Sequence, residues 1–274
     1  MAYDDCLMAS TPMKIALWQT PPVSDVETCL ARLGSAVAEA ANAGADLFVS
    51  PEMFVGGYNI GADAVRAHAA LFEDVRKNLC RLAASHKIAL VIGLPSPNRD
   101  RPFNSCIAIN KMGHQLALYH KTHLFGNVDR AQFTAGNSLS PVFDLCGWRV
   151  GLAICYDIEF PEVARDLALR GADLIVTPTA NMEPFDSVAA RIVPARAEEN
   201  AIYIAYCNYH GHEGAFNYNG LSCICGPDGA DRIRAGKSDT GLFYATLSRD
   251  ELQASRQNQS HLNDRRPDLY GISK

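Results

Sequence analysis

The chain has 274 residues, 48% hydrophobic and 20% charged, a balance that excludes intrinsic disorder and fits an ordinary folded globular protein. Its 25 Lys plus Arg against 30 Asp plus Glu give a net charge of −5, and with no basic block to track phosphates, nucleic acid is not an expected partner. Charged or strongly polar residues interrupt every apolar run before about 18 residues, and Asp4 and Asp5 stand where a secretory leader needs a basic start, so a soluble, cytoplasmic protein without a membrane partner is expected.

Met1 to Pro12 reads as an N-terminal extension and residues 13–274 as one domain. Lys14 to Thr20 is a strand, and Ser24-Asp25 caps an Ala-rich helix that ends at Gly44. Asp46 to Ser50 is a second strand running into Pro51-Glu52, a helix spans about Asp63 to Ser85, and Ile88 to Leu94 is an apolar strand. From Phe103 two strands flank Lys111-Met112-Gly113-His114, a hairpin turn, and end at Tyr119-His120-Lys121-Thr122-His123. Beyond a Gly-rich loop, Trp148 to Cys155 is a strand, Pro161 to Arg170 a helix with Pro in its first turn, and Asp173 to Thr177 and Ala201 to Cys207 are strands.

Gly44-Ala-Asp-Leu-Phe-Val-Ser-Pro51 and Gly171-Ala-Asp-Leu-Ile-Val-Thr-Pro178 are nearly the same segment, so the chain contains two similar halves. Each half supplies a sheet that can hide one face against the other sheet and the other face under helices. The expected fold is therefore α/β, a four-layer α-β-β-α sandwich in one domain. The nine cysteines are odd in number, with no CxxC pair, which fits reduced thiols. Cys223-Ile-Cys225 puts two of them on one strand face, read as core packing.

Chemistry in such sheets gathers beyond the carboxyl ends of the strands. Three reactive residues fall there: Glu52, Lys121 and Cys155. Singly, each has a plainer explanation, as a solvated loop carboxylate, an edge-guarding lysine and a small buried hydrophobe. Together they supply what a cysteine nucleophile needs, a base for its proton and a cation for the oxyanion. A papain-like Cys/His pairing would leave Glu52 and Lys121 without a task. His120, His123 and the pair His210-Gly-His212 lack a further ligand at metal-binding spacing, so no metal is expected.

Pro51-Glu52-Met-Phe, Tyr119-His-Lys121-Thr-His-Leu and Cys155-Tyr-Asp-Ile-Glu-Phe-Pro-Glu162 together resemble the nitrilase, or carbon-nitrogen hydrolase, superfamily. The resemblance covers nearly the whole chain, including Phe133-Thr-Ala-Gly136, Pro178-Thr-Ala-Asn181, Arg196-Ala-Glu-Glu-Asn200 and the tail Asp264 to Tyr270. It implies an α-β-β-α sandwich, a Glu52, Lys121, Cys155 catalytic triad, no cofactor, and at least a homodimer with the tail at its interface. Asp129 stands where many members carry a second, supporting glutamate, and Glu159 where many carry an arginine that meets a substrate carboxylate. Gly126-Asn-Val-Asp-Arg130, Ile158 to Glu162 and Thr179-Ala-Asn-Met182 look most like the 5-aminopentanamidase branch, whose substrate carries an ω-ammonium group.

The implied reaction is hydrolysis of a small aliphatic amide. Glu52 would deprotonate Cys155, the thiolate would attack the carbonyl, and Lys121 with the backbone N–H of Tyr156 would hold the oxyanion. Tyr58 and Asn181 are expected in the pocket beside Tyr156 and Glu159. A nitrilase, an N-carbamoyl amino acid amidohydrolase and an inactive scaffold of the same fold are the alternatives.

Overall fold

The computed structural model describes residues 11–270, so the extension expected over Met1 to Pro12 lies outside the described residues except for Thr11 and Pro12. The first half runs β1 (Met13–Gln19), α1 (Val26–Asn42), β2 (Leu47–Val49), α2 (Ala62–Ala69), α3 (Phe72–His86), β3 (Ala89–Ser96), β4 (Phe103–Ile109), β5 (Gln115–His120) and α4 (Gly126–Gln132). The second runs β6 (Phe143–Leu145), β7 (Trp148–Leu152), α5 (Pro161–Leu169), β8 (Leu174–Pro178), α6 (Val193–Asn200), β9 (Tyr203–Cys207), β10 (His210–Glu213), β11 (Phe216–Asn219), β12 (Cys223–Cys225), β13 (Asp231–Arg234), β14 (Gly241–Leu247) and α7 (Arg249–Asn258).

Alternation along the strands builds the layers, because successive side chains leave a strand on opposite faces. Ile15 and Leu17 of β1 and Leu47 and Val49 of β2 meet Val150 and Leu152 of β7 and Leu174 and Val176 of β8 between the sheets. The intervening Ala16, Trp18 and Phe48 pack under Leu33 and Val37 of α1 and Val75 and Leu79 of α3. Ile175, Ile204 and Tyr206 do the same beneath Leu167 of α5 and Val193 and Ala197 of α6. The result is the expected four-layer α-β-β-α sandwich, with sheets ordered β14-β1-β2-β3-β4-β5 and β13-β12-β9-β8-β7-β6.

The two halves share their hydrogen bonds as well as their sequence. Asp46 accepts from the Lys14 N–H at 2.8 Å and Asp173 from the Arg149 N–H at 3.1 Å. Each repeat thus latches its strand to the second residue of a parallel neighbour, β1 or β7. The following β-strands pair in parallel too, β2 with β3 and β8 with β9, so both halves point their strand ends at one place. Asp25 caps α1 by accepting from the Thr28 N–H, as the sequence predicts.

Some boundaries differ from expectation. The single helix predicted over Asp63 to Ser85 is α2 and α3, because the Leu71 N–H turns to the His68 carbonyl at 3.0 Å and tightens the chain at a point with neither Gly nor Pro. The strand predicted to reach Cys155 stops at Leu152. The Gly-rich loop contains α4. The eight cysteines among the described residues are unpaired, and no helix among those residues is long and apolar enough to cross a membrane.

Candidate active site

Glu52 leaves the end of β2, where Met53 takes a left-handed φ of 49°. The loop lies flat on β3 because Gly93 has no side chain: a Cβ there would stand 2.4 Å from the Pro51 carbonyl and 2.8 Å from the Glu52 Cα. Gly93→Ala is therefore expected to push Glu52 out of place, cost about 1–3 kcal/mol of stability through overpacking and lower kcat roughly a hundredfold through misplacement. Thermal melting and an amidase assay check this; unchanged kcat would show that the loop tolerates the shift.

Lys121 follows β5 and is wholly buried. Its backbone is fixed on both sides, the N–H donating to the Asn104 carbonyl and the carbonyl accepting from the Gly136 N–H, each at 2.8 Å. Its ammonium donates to Glu52 Oε1 at 2.7 Å and to Asp129 Oδ2 at 2.8 Å. Asp129 reaches it from the first turns of α4 although its side chain is one methylene shorter than glutamate, and also accepts from the Tyr58 hydroxyl at 2.7 Å and the Phe125 N–H at 2.8 Å. An ammonium has three donors, so among the described residues one N–H of Lys121 is left for a ligand.

Glu52 is 0% exposed. Its Oε1 also accepts from the Asn104 side chain at 2.6 Å, whereas Oε2 is buried without a partner. Burial, opposed by Lys121 and reinforced by Asp129, raises the Glu52 carboxyl above its usual range. Such a carboxylate takes up a proton more readily than an exposed one.

Cys155 opens a 3₁₀ turn, Cys155–Glu159, at a φ of 47°, a left-handed geometry that costs about 1–3 kcal/mol for a residue with a side chain. Burial first, then the Glu52 charge, push its thiol up, against the pull of Lys121 and of hydrogen bonds from Thr179 and the Ala180 backbone. These shifts favour the thiol form of Cys155 beside Glu52. The Glu52 N–H donates to the Thr179 carbonyl at 3.2 Å, which ties the strand ends of the two sheets together at this point.

Cys155 lines a cavity of about 190 Å³ together with Tyr58, Tyr156, Glu159 and Asn181. Phe125, Met182 and Phe185 complete the walls, Phe125 standing edge-on to Tyr156 and to Phe185 at centroid distances of 5.3 and 5.6 Å. Glu52 and Lys121, whose charges both act on Cys155, are fully buried and do not line the cavity. A larger groove of about 660 Å³ beside α1 and α3 has Asp25, Glu27 and Asp74 at its edge and no nucleophile, so the chemistry points to the smaller cavity.

All eight residues singled out from the sequence thus converge on one place. Asn104, Phe125, Met182 and Phe185 were not foreseen, and of these Asn104 alone had a local signal, a polar residue near the start of a mostly apolar strand. The histidines lie elsewhere in the hydrogen-bond pattern: His120 meets Ser105, His123 meets Asp157, and His210 meets Thr240. Cys223, Cys225 and Asp231 bring possible metal-ligand atoms within 4.8 Å of one another, but both Asp231 oxygens already accept from the Arg234 guanidinium. The two thiols are fully buried in the core, as expected.

A four-layer sandwich with this buried ion cluster behind an accessible cysteine is the frame of an enzyme that hydrolyses carbon–nitrogen bonds other than peptide bonds. The chain belongs to the carbon-nitrogen hydrolase family, whose model matches residues 14–257. It is 45% identical over 261 residues to "Hydrolase in pqqF 5'region" of Pseudomonas protegens, covering 94% of this chain and 90% of that one. An (R)-stereoselective amidase of a Pseudomonas species is 32% identical over 227 residues, covering 82% and 81%. The crystal structure of an amidase from a Nesterenkonia species superposes with a TM-score of 0.85 at 34% identity, covering 94% and 95%. A glutamate-to-glutamine variant of that amidase carries the acetamide moiety of fluoroacetamide covalently on its active-site cysteine.

Proposed function

We propose that this enzyme hydrolyses a small aliphatic amide bearing a cationic group at its far end, such as 5-aminopentanamide, to the carboxylate and ammonia. The carrying observation is Glu159. Glu159 lines the same cavity as Cys155, and its carboxylate has no hydrogen-bond or ion-pair partner among the described residues. Burial raises the carboxyl above its usual range, with Lys121 pulling it back. An unpaired carboxylate among aromatic walls favours an ammonium and repels a carboxylate. Its backbone is held in place by the Arg196 guanidinium, which donates to the Glu159 carbonyl at 3.1 Å.

Size points the same way. Cys155 and Glu159 stand at the two ends of one 3₁₀ turn, roughly 8 Å apart along its axis at the usual rise. A cavity of about 190 Å³ is well below the range that takes drug-sized ligands, and it suits a short chain with several methylenes between amide and ammonium.

In the proposed reaction Glu52 Oε2 takes the Cys155 proton as the sulfur bonds to the amide carbon. The oxyanion is held by the spare N–H of Lys121 and the Tyr156 N–H. The C–N bond breaks as Glu52 returns the proton to the nitrogen, and ammonia leaves a thioester on Cys155. Glu52 then takes a proton from water as its oxygen attacks the thioester, and the C–S bond breaks as Glu52 returns that proton to the sulfur, releasing the carboxylic acid and restoring the thiol.

Glu159→Gln tests the substrate reading. KM for 5-aminopentanamide is expected to rise roughly tenfold, the order lost with one charge-assisted contact, while neutral pentanamide is unaffected. Glu159 also lies two residues before α5, where a carboxylate can favour the helix dipole. If the ratio of kcat/KM values for the two amides is unchanged and only the melting temperature falls, the dipole is its role and the cationic substrate is wrong.

A further inference from the structure

Two residues beyond Cys155, Asp157 is a wholly buried carboxylate that the reaction above does not use. Its Oδ1 accepts from the Thr122 hydroxyl at 3.0 Å, the His123 N–H at 2.9 Å and His123 Nδ1 at 2.8 Å. Its Oδ2 accepts from the Tyr119 hydroxyl at 2.9 Å and the Ile154 N–H at 3.0 Å. One oxygen thus grips the residues just after Lys121, and the other grips the residue just before Cys155. The Asp157 N–H also closes on the Ile154 carbonyl at 3.0 Å, so both peptide groups of Ile154 are held by one residue.

A buried carboxylate persists when every lone pair is met, and here the donors come from two separate strand ends. Cys155 sits in a left-handed conformation, a state that lasts only where its surroundings over-determine it. The bond to the Ile154 N–H is such a constraint. His123 adds stiffness from the lysine side, its ring stacked on Phe160 at a centroid distance of 4.0 Å.

Resting on the reading that Cys155 attacks and Lys121 holds the oxyanion, we propose that Asp157 is a positioning residue that fixes the separation of the Cys155 sulfur and the Lys121 ammonium. Its side chain is fully buried and is not part of the cavity lining. Its effect falls on the chemical step, where a displacement of about 1 Å can cost a hundredfold in rate.

Asp157→Asn isolates the role, because an amide has one acceptor atom where the carboxylate has two. Whichever way the amide turns, its NH2 faces a backbone N–H, either of Ile154 or of His123, and one of the two strand ends is released. The expected result is a fall in kcat of roughly a hundredfold for the best amide, with KM within about twofold of wild type. Alkylation of Cys155 by iodoacetamide should change rate in parallel. A kcat within twofold of wild type, or a raised KM at unchanged kcat, overturns the proposal.

Should Asp157→Asn not fold, Tyr119→Phe removes one donor from Oδ2, together with the 3.1 Å contact of that hydroxyl with Thr122, and is expected to lower kcat severalfold at constant KM; an unchanged kcat there also overturns it. Cys155→Ala measured alongside separates the two layers of argument. Turnover retained in Cys155→Ala means that the nucleophile reading has failed, whereas an inactive Cys155→Ala beside a fully active Asp157→Asn means that the positioning role alone has failed.

Discussion

Cys155→Ala is expected to abolish ammonia release while leaving the melting temperature within a few degrees of wild type. The sulfur would be the atom that carries the acyl group: among the described residues Cys155 is the cysteine that lines the cavity, whereas Cys106 and Cys207 are fully buried within the inter-sheet core. The small stability change follows from the position itself. Cys155 is only partly buried and opens a turn that is held by Asp157 bonding the Ile154 N–H at 3.0 Å, so removing its sulfur deletes little packed surface. Turnover near the wild-type rate would end the assignment.

Glu52→Gln and Lys121→Met are expected to lose turnover by roughly a hundredfold or more, the usual loss for a missing base or oxyanion donor. The two should differ in stability. Glutamine keeps the shape of Glu52 and can still accept from Lys121 and Asn104, so Glu52→Gln should fold nearly as well as wild type. Lys121→Met removes the single ammonium between two buried carboxylates and leaves both uncompensated, a change that typically costs about 3–5 kcal/mol. Amide turnover and thermal melting measured on the same preparations check both. Near-wild-type rates in either variant would mean that the buried ion cluster is structural.

The repeat of Gly44 to Pro51 in Gly171 to Pro178 made the two-sheet architecture legible, because a duplicated strand with its latch aspartate, Asp46 or Asp173, builds the same parallel pairing twice. Glu52, Lys121 and Cys155 were legible for a related reason: each follows or ends a strand, and strand ends in such sheets converge. The closing of the first sheet was not legible. β14 pairs with β1, the last strand with the first, and nothing in the short-range pattern of Gly241 to Leu247 names a partner so far away in the chain.

The missing parts of the site share that character. Asn104 reaches Glu52 only because β4 runs antiparallel to β3 with Asn104 opposite Pro95, a register that sequence periodicity does not fix. Phe125 and Phe185 close the cavity from a helix start and a loop, where apolar residues have no period to read. Asp157 lay inside a segment already singled out, yet its five contacts depend on how the turn after β7 meets the end of β5.

The most direct measurement is intact-protein mass spectrometry on wild-type enzyme acid-quenched during turnover of 5-aminopentanamide and of neutral pentanamide. A mass increase equal to one acyl group, mapped to Cys155 by peptide analysis and lost in Cys155→Ala, is the predicted result. An adduct on any other residue, or steady turnover in Cys155→Ala, would contradict the account.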